Sequence, residues 1–316
     1  MLKIAVVGTG IIGISHLEMM EKTDSCSLCA LCDVNEAQVR ELAKEKNVPY
    51  FTDYKEIPSS VDVDAVILNL PHFLHCEATV FFLEHGVHVL VEKPMANTVE
   101  ECDKMIEAAE KSGKKLAVGH IQRFFPTTQF VIDKAKSGEL GRLCMYSETR
   151  SVNYFAETRP KWFLSKEKAG GGIMMNFGAH AFDKIFSVFG LQDVEVASSV
   201  ANIKNGADIE GQAQFIAKLS DNVSAAVTFC GYSAGSYDVS YYFEKGIIRV
   251  SDTCTVYEEN GSVTEADCSE YPEFPMLWQL EEFCKYVNGE KSMCPDGHYG
   301  RAVIKAVEQV YEKSAN

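Results

Sequence analysis

Three glycines near the start of the chain have the spacing of a phosphate-binding turn. They form the pattern Gly8-x-Gly10-x-x-Gly13, directly after a β-branched run from Lys3 to Val7. In such a turn the first glycine permits a tight bend, the second lets the backbone approach a pyrophosphate, and the third allows close packing of helix on strand. The phosphates would lie at the helix N-terminus, where unpaired N–H groups attract negative charge. The other residues predicted to contact the phosphates are Thr9, Ile11 and Ile12.

An acidic residue stands where a dinucleotide would need it. Asp33 ends the second apolar run, 20 residues after Gly13, where a carboxylate hydrogen-bonds the ribose hydroxyls. Val34 and Asn35 follow, so no Lys or Arg is at hand to neutralise a 2'-phosphate. The pattern therefore predicts NAD as the cofactor in preference to NADP. The alternative is a glycine turn with a helix-capping aspartate and no ligand.

A lysine and a histidine are the candidates for moving protons. Lys93 follows a run that ends at Glu92, which predicts a position at the carboxyl edge of a parallel sheet, where such folds bind ligands. His180 lies in an apolar helical run, with Asn176 four residues before it and Asp183 three residues after it. Those spacings put the three side chains on one face of a helix. By residue type alone, a solvated loop lysine and a packed core histidine remain the alternatives.

The combination of motifs gives the chain a family likeness. Besides the glycine turn, Glu92-Lys93-Pro94 and the run Gly170-Gly171-Gly172 before the helix with His180 resemble the glucose-fructose oxidoreductase and inositol dehydrogenase (Gfo/Idh/MocA) family over essentially the whole chain. The resemblance implies hydride transfer between nicotinamide and a secondary alcohol or ketone of a sugar, polyol or sugar derivative. It implies Lys93 as the catalytic lysine. Oxidation of an alcohol needs a cation beside the reacting oxygen and a proton acceptor, which Lys93 and His180 would supply. By its spacing, Asp183 would orient the imidazole from behind. Asn176 departs from the family, because dehydrogenase relatives carry aspartate there.

Further segments contribute expected contacts. The run from Leu70 to His75 stands where relatives have Thr-Pro-Asn-x-x-His, so His75 matches and His72 departs. The segment from Gly119 to Phe124 is similar to dehydrogenases of nucleotide-linked sugars in this family, and Arg159 could line the sugar pocket. Surface or packing roles for Arg123 and Trp162 fit the sequence equally. The resemblance thus adds cofactor contacts from Leu70, Pro71, His75, Glu92, Lys93 and Gln122, and substrate contacts from Lys93, Arg123, Trp162, Asn176 and His180.

Composition argues against several classes of partner. A net charge of -15 disfavours nucleic acid and anionic lipid, since both require clustered Lys and Arg. A neutral, polyhydroxylated substrate suits this charge better than a polyanion, although a local basic pocket could override the global field. No apolar run approaches the ~18 to 20 residues of a membrane span. No metal is expected, because Cys29 and Cys32 of the Cys26-x-x-Cys29-x-x-Cys32 run would face opposite sides of a strand.

The elements that must position these residues divide near residue 122. In residues 1–122, short β-branched runs alternate with amphipathic stretches, which predicts an α/β fold with a doubly wound parallel sheet, a Rossmann domain. In residues 123–316, alternating runs predict a mostly antiparallel sheet beside an apolar helix from Ile173 to Phe189, and the resemblance implies that this is an α+β domain with an open sheet. Eleven cysteines without a regular framework indicate a reducing cytoplasm. By resemblance, the open sheet would pair, giving a homodimer or homotetramer.

Two other functions stay open at this stage. An NAD-requiring glycosidase would use transient oxidation to drive bond cleavage, as some relatives do, and would release an aglycone without net NADH. A non-catalytic NAD-binding sensor is suggested by Asn176 and would bind the cofactor without turning over a polyol. The residues do not identify the substrate or its stereochemistry.

Overall fold

The structure is a computed structural model that describes residues 1–203, 207–220 and 223–314. The chain divides into two units. The first unit comprises Met1–Ile121 and Phe274–Arg301, and the second comprises Gln122–Glu273 and the residues from Ala302 onward. In chain order the strands are β1 (Leu2–Val7), β2 (Cys26–Cys32), β3 (Tyr50–Phe51), β4 (Ala65–Leu68), β5 (His88–Glu92), β6 (Leu116–Gly119), β7 (Leu143–Asn153), β8 (Glu195–Ile203), β9 (Glu210–Lys218), β10 (Ser224–Cys230), β11 (Tyr232–Phe243), β12 (Gly246–Val250), β13 (Cys254–Glu258) and β14 (Val263–Glu265).

The helices alternate with the strands in the first part of the chain and become fewer later. They are α1 (Ile11–Met20), α2 (Glu36–Lys46), α3 (Ile57–Ser60), α4 (His75–Glu84), α5 (Val99–Ser112), α6 (Pro126–Ser137), α7 (Lys166–Ala169), α8 (Ala179–Phe189), α9 (Pro275–Val287) and α10 (Gly297–Ser314). A π-helical turn, Met174–Gly178, immediately precedes α8. Within the described ranges, none of these helices combines the length and apolarity needed to cross a membrane.

The sheet of the first unit is parallel throughout. Its strand order is β3-β2-β1-β4-β5-β6, which confirms the predicted doubly wound Rossmann arrangement. The residues of β4 and most of β1 and β5 are fully buried, because helices cover both faces of a parallel sheet and select β-branched residues on each. The strand order reverses between β1 and β4, and ligands of such folds bind outside the carboxyl ends at this point.

One segment lies outside the domain in which the sequence places it. The sequence predicts residues 123–316 as a single domain, whereas Phe274–Arg301 belongs to the first unit. The reason is apolar burial: Leu280, Phe283 and Cys284 of α9 share one core cluster with Ile4 and Leu17. The apolar periodicity of α9 predicts a buried face but does not say which sheet that face covers.

The sheet of the second unit is open and mixed. Its order is β14-β13-β12-β11-β7-β10-β9-β8, and every pair is antiparallel except β7 with β10. This confirms the predicted mostly antiparallel sheet. Its buried face packs on α8, where Phe182 stacks on Phe215 of β9 with ring centroids 5.2 Å apart. On the other face, alternate residues of β9 such as Ile216, which is 50% exposed, point outward.

Candidate functional site

The glycine turn after β1 is closed on one side and open on the other. A Cβ added to Gly8, whose φ is +90°, would lie 2.4 Å from the Asn69 carbonyl oxygen, and one added to Gly13 would lie 2.0 Å from the Gly8 oxygen. Any side chain at either position would therefore collide with backbone. A Cβ on Gly10 meets no atom within 4 Å. The backbone at Gly10 thus leaves open the space that a pyrophosphate needs.

Asp33 is fixed at the end of β2 by the same turn. Its Oδ2 accepts hydrogen bonds from the Thr9 backbone N–H at 2.7 Å and the Thr9 hydroxyl at 2.9 Å, and its Oδ1 accepts from the Asn35 N–H at 2.9 Å. The Gln38 side chain donates to the Thr9 carbonyl at 2.7 Å, which ties α2 to the turn. An ionised carboxylate has about four acceptor sites, so one remains for a ribose hydroxyl.

The first turn of α1 completes the fit for a dinucleotide. Ile11 is 87% exposed and Ile12 is 43% exposed, and Gly10 provides no side-chain cap. The N–H groups of this first turn have no intrahelical acceptor and carry the positive end of the helix dipole. The residues present therefore fit the pyrophosphate and the adenosine ribose of NAD.

Replacing Asp33 should narrow the preference for NAD over NADP. A 2'-phosphate beside the carboxylate would meet like charge at short range, which is worth a few kcal/mol, or roughly a tenfold or greater difference in Kd. Calorimetric titration of both cofactors into wild type, Asp33→Ala and Asp33→Asn checks this. The Asn variant keeps an oxygen that can accept from Thr9, so it separates the charge effect from loss of the turn. Equal or tighter binding of NADP by wild type would contradict the assignment.

Lys93 stands at the carboxyl edge of the parallel sheet, as the sequence predicts. It follows the last residue of β5, its side chain is half-buried, and the Lys93–Pro94 peptide is cis. The Glu92 carboxylate holds the start of this turn, because its Oε2 accepts from the Lys93 N–H at 3.2 Å. The other oxygen lies 3.3 Å from Nε2 of the buried His16 on α1. Glu92 therefore connects the lysine turn to the helix of the glycine turn.

His75 links two segments of the same sheet edge. The sequence predicts a cofactor contact from its side chain, but the ring is fully buried, and burial lowers its pKa. Its Nδ1 lies 2.9 Å from the Pro94 carbonyl oxygen and its Nε2 lies 2.8 Å from that of Leu70. The contacts give His75 a positioning role between the Leu70-Pro71 segment and the lysine turn.

In the second unit, a buried carboxylate anchors the helix that carries His180. Both oxygens of Glu210, at the start of β9, accept from the Gly172 N–H at 2.9 Å, and Oε1 also accepts from Met174 N–H at 2.8 Å. The Tyr311 hydroxyl donates to Glu210 Oε1 at 2.8 Å and accepts from the Met175 N–H at 3.0 Å. A negative charge at this helix start is stabilised by the unpaired N–H groups. No sequence motif marks Glu210 or Tyr311.

The triple glycine exists because of this anchor. A Cβ on Gly171 would lie 2.0 Å from the Tyr311 hydroxyl, and one on Gly172 would lie 2.0 Å from the Glu210 carbonyl oxygen. Only glycine lets the segment approach β9 and α10 this closely. The turn before the helix is thus fixed by contacts with two elements that lie far away in the sequence.

Asn176 and His180 follow the triple glycine on a helix that is not uniform. The sequence predicts one helix from Ile173 to Phe189, whereas Met174–Gly178 is π-helical and α8 begins at Ala179. Apolar periodicity does not distinguish the two forms, and π turns occur frequently at functional sites. Asn176 is 8% exposed and His180 is 7% exposed, so both side chains are largely enclosed.

Asp183 and Arg123 bind each other. The Nε and Nη2 atoms of Arg123 donate to Asp183 Oδ1 at 3.2 and 2.9 Å, and both side chains are buried. The sequence predicts Arg123 at the substrate and Asp183 behind His180. The pairing gives each of them a charged partner inside the unit, because a buried charge is stable only when it is paired.

Gln122 belongs to a second buried ion pair. The Lys184 ammonium donates to Glu148 Oε1 at 2.8 Å and to Gln122 Oε1 at 3.2 Å, and the Tyr146 hydroxyl donates to Glu148 Oε2 at 2.5 Å. All four side chains are buried. The sequence predicts Gln122 as a cofactor contact, whereas its amide oxygen is already engaged by Lys184.

Two aromatic residues near the triple glycine pack differently. Trp162 is half-buried and stacks on Phe163, with ring centroids 3.8 Å apart and planes at 23°. This is the packing role that the sequence leaves open beside substrate contact. Tyr154 is fully buried, and burial raises its pKa to about 12, partly offset by Arg159 and by Asn176. Tyr154 therefore lies beside Asn176 as a neutral phenol.

Two family profiles match the chain. The first, described as an oxidoreductase family with an NAD-binding Rossmann fold, matches residues 2–120, and the second, described as the GFO/IDH/MocA C-terminal domain, matches residues 129–264. The matched ranges cover the strands of the parallel sheet and nearly all strands of the second sheet.

The individual relatives have low sequence identity to this chain. The 2,7-anhydro-N-acetylneuraminate hydratase of Mediterraneibacter gnavus is 28% identical over 209 residues, which are 66% of this chain and 54% of that relative, so the match spans only about half of its length. The D-glucoside 3-dehydrogenase of Escherichia coli is 24% identical, with 99% of this chain and 95% of the relative aligned. The crystal structure of aldose-aldose oxidoreductase from Caulobacter crescentus has a TM-score of 0.91 at 21% identity and covers 99% of this chain and 97% of that one, so the two share a fold.

Proposed function

This chain belongs to the Gfo/Idh/MocA oxidoreductase family, and from that membership we propose that it transfers a hydride between NAD and a secondary alcohol or ketone of a sugar, polyol or sugar derivative. The observation that carries the proposal is the glycine turn. Its backbone is open at Gly10, and Asp33 is fixed beside it at the carboxyl edge of the sheet. The open backbone and the fixed carboxylate together support a bound dinucleotide.

The proposed reaction assigns distinct tasks to three side chains. Bound NAD supplies the acceptor or donor of the hydride. The Lys93 ammonium stabilises the negative charge that develops on the reacting oxygen. His180 takes the hydroxyl proton on a ring nitrogen during oxidation and returns it during reduction. Asn176 has both donor and acceptor atoms and no charge, so it can bind a substrate hydroxyl without titrating.

The names of the relatives support a carbohydrate substrate. One curated relative is named for a D-glucoside and another for an anhydro-N-acetylneuraminate, while the similar solved structure is named for aldoses. The reactions that these names describe change different bonds. They agree on a small molecule rich in hydroxyl groups, which is the class we propose.

The test of this proposal is a substrate panel. Purified protein is incubated with NAD and with inositols, aldoses, aldosides and nucleotide sugars, and NADH formation is followed by its absorbance. At least one polyol or sugar should give NADH in stoichiometric amounts. Release of an aglycone without net NADH would replace the proposal with an NAD-requiring glycosidase. Tight NAD binding with no turnover across the panel would replace it with a sensor.

We also propose that the chain forms a homodimer or homotetramer in the cytoplasm. The outer face of the second sheet supports self-association, because Val200 and Ile216 are each at least 50% exposed on neighbouring strands. The eleven cysteines are all free thiols, in keeping with a reducing compartment. Light scattering of the purified protein measures the number of subunits.

A further inference from the structure

Two arginines of the second unit hold positive charge without a carboxylate partner among the described residues. Arg150 lies on β7, and its guanidinium carbon lies 3.9 Å from the ring centroid of Phe177. Arg159 lies in the segment after β7, with its guanidinium carbon 4.1 Å from the ring centroid of Tyr154. The two rings meet edge to face with centroids 6.2 Å apart. The cations therefore flank one aromatic pair.

This aromatic pair lies beside the residues proposed to act in the reaction. Phe177 follows Asn176 in the chain and precedes His180 by three residues, about one helical turn. Tyr154 adjoins the Asn176 side chain. An anion held by the arginines would thus be bound close to Asn176 and His180.

Hydrogen-bond donors of both arginines are buried and unused within the described chain. Arg150 Nη1 and Arg159 Nε are inaccessible to solvent and have no acceptor there. Burial also lowers the pKa of Arg159, and the only charge interaction that opposes this is with Tyr154. An aromatic face attracts the cation but gives an in-plane N–H no oxygen to bind. Buried polar groups in native proteins ordinarily have such a partner.

The neighbouring carboxylates bind other residues. Glu148 binds Lys184, Asp183 binds Arg123, and Glu210 accepts from backbone N–H groups and from Tyr311. Among the described residues, Arg150 and Arg159 form an ion pair with none of these acids. The overall charge of -15 does not reveal these two cations without a carboxylate partner.

We propose that Arg150 and Arg159 bind an anionic group, carboxylate or phosphate, on the sugar substrate. This inference rests on the proposed function, because it specifies the substrate class of the same site. A guanidinium forms charge-assisted hydrogen bonds with both anions, and contact with an aromatic ring helps to hold it in place. The substrate class becomes a sugar acid or sugar phosphate in place of a neutral polyol.

The experiment compares neutral sugars with their charged counterparts. NAD-saturated protein is titrated calorimetrically with glucose, glucuronate and glucose 6-phosphate, and with the galactose and mannose equivalents. At least one charged sugar should bind about 10- to 100-fold more tightly than its neutral parent, the scale of a hydrogen bond to a charged group. Whether the uronate or the phosphate gives the larger gain identifies the anion. Equal binding within every set would overturn the proposal.

Variants test whether the preference for charged sugars depends on Arg150 and Arg159. Arg150→Met and Arg159→Met keep an aliphatic stem against the rings and should each lose most of the preference while binding the neutral sugar as before. Arg142→Met is the matched control, because Arg142 is an exposed arginine of the same unit that pairs with Glu244, and the preference should persist. If a Met variant does not fold, Arg→Lys at that position, which keeps the charge, should retain a reduced preference. A preference that survives in both Met variants would refute the assignment.

The two proposals fail in different ways. Calorimetry needs no turnover, so a protein that binds a charged sugar through the arginines but forms no NADH with it would contradict only the proposed reaction. A protein that oxidises neutral sugars and binds charged ones no better would contradict only the arginine site.

Discussion

Replacing Lys93 by alanine is expected to lower kcat by about 100-fold or more, the scale of a group that handles charge or protons at the reacting atom. NAD affinity should stay nearly unchanged, because the glycine turn and the first turn of α1 are expected to hold the pyrophosphate. Steady-state kinetics with the best substrate of the panel gives kcat, and calorimetry gives the Kd for NAD. A lower kcat with an unchanged Kd for NAD distinguishes a residue at the reacting oxygen from one that holds the cofactor.

Two comparisons make the Lys93 result interpretable. Lys111→Ala removes an exposed lysine of the same unit that is paired with Glu107, and it should leave kcat unchanged. Lys93→Arg keeps the positive charge while giving up an ammonium that can exchange its proton, so it should recover part of the loss if electrostatic stabilisation dominates. Turnover at the wild-type level in Lys93→Ala would mean that Lys93 is an ordinary loop lysine.

Replacing His180 by alanine is expected to cost about 10²- to 10⁴-fold in activity and to abolish the acidic limb of the kcat/KM profile. During oxidation the base must be neutral to take the hydroxyl proton, so protonation of the ring at low pH removes activity. Measuring kcat/KM between pH 5 and pH 9 for wild type and variant checks both effects.

The neighbouring Asn176 provides an internal check on His180. Asn176→Asp introduces an anion about one helical turn away, and an anion stabilises imidazolium. The acidic limb should therefore move to higher pH. Asn176→Ser stays uncharged and should leave the limb in place. If neither His180→Ala nor Asn176→Asp changes the profile, His180 is a packing residue and the proton passes through Lys93 or a bound water.

The parts of the molecule that the sequence predicts are those governed by local rules. The glycine turn, Asp33 and Lys93 each follow a strand, so their placement at one edge follows once the strands are recognised as parallel. Strand alternation likewise predicts the mostly antiparallel second sheet. These inferences need only the neighbours of a residue along the chain.

Such local rules do not predict which residue a buried charged side chain pairs with. Arg123 and Asp183 are 60 residues apart, and nothing in the residue types says that they pair with each other. Glu210 is one of many acids in the chain, and its role depends on β9 running past the triple glycine. Arg150 stands out only after every nearby carboxylate has been assigned. Each of these facts requires the three-dimensional placement of several elements at once.

The return of Phe274–Arg301 to the first unit has a consequence for folding during synthesis. Leu280 and Phe283 belong to the same core cluster as Ile4 and Leu17, yet they are synthesised near the far end of the chain. A nascent chain that stops at residue 122 has all six strands of the parallel sheet without the helix that covers part of it. Domains otherwise tend to fold from the N-terminus as they emerge. We therefore expect the core of the first unit to be completed only after most of the second unit has been translated.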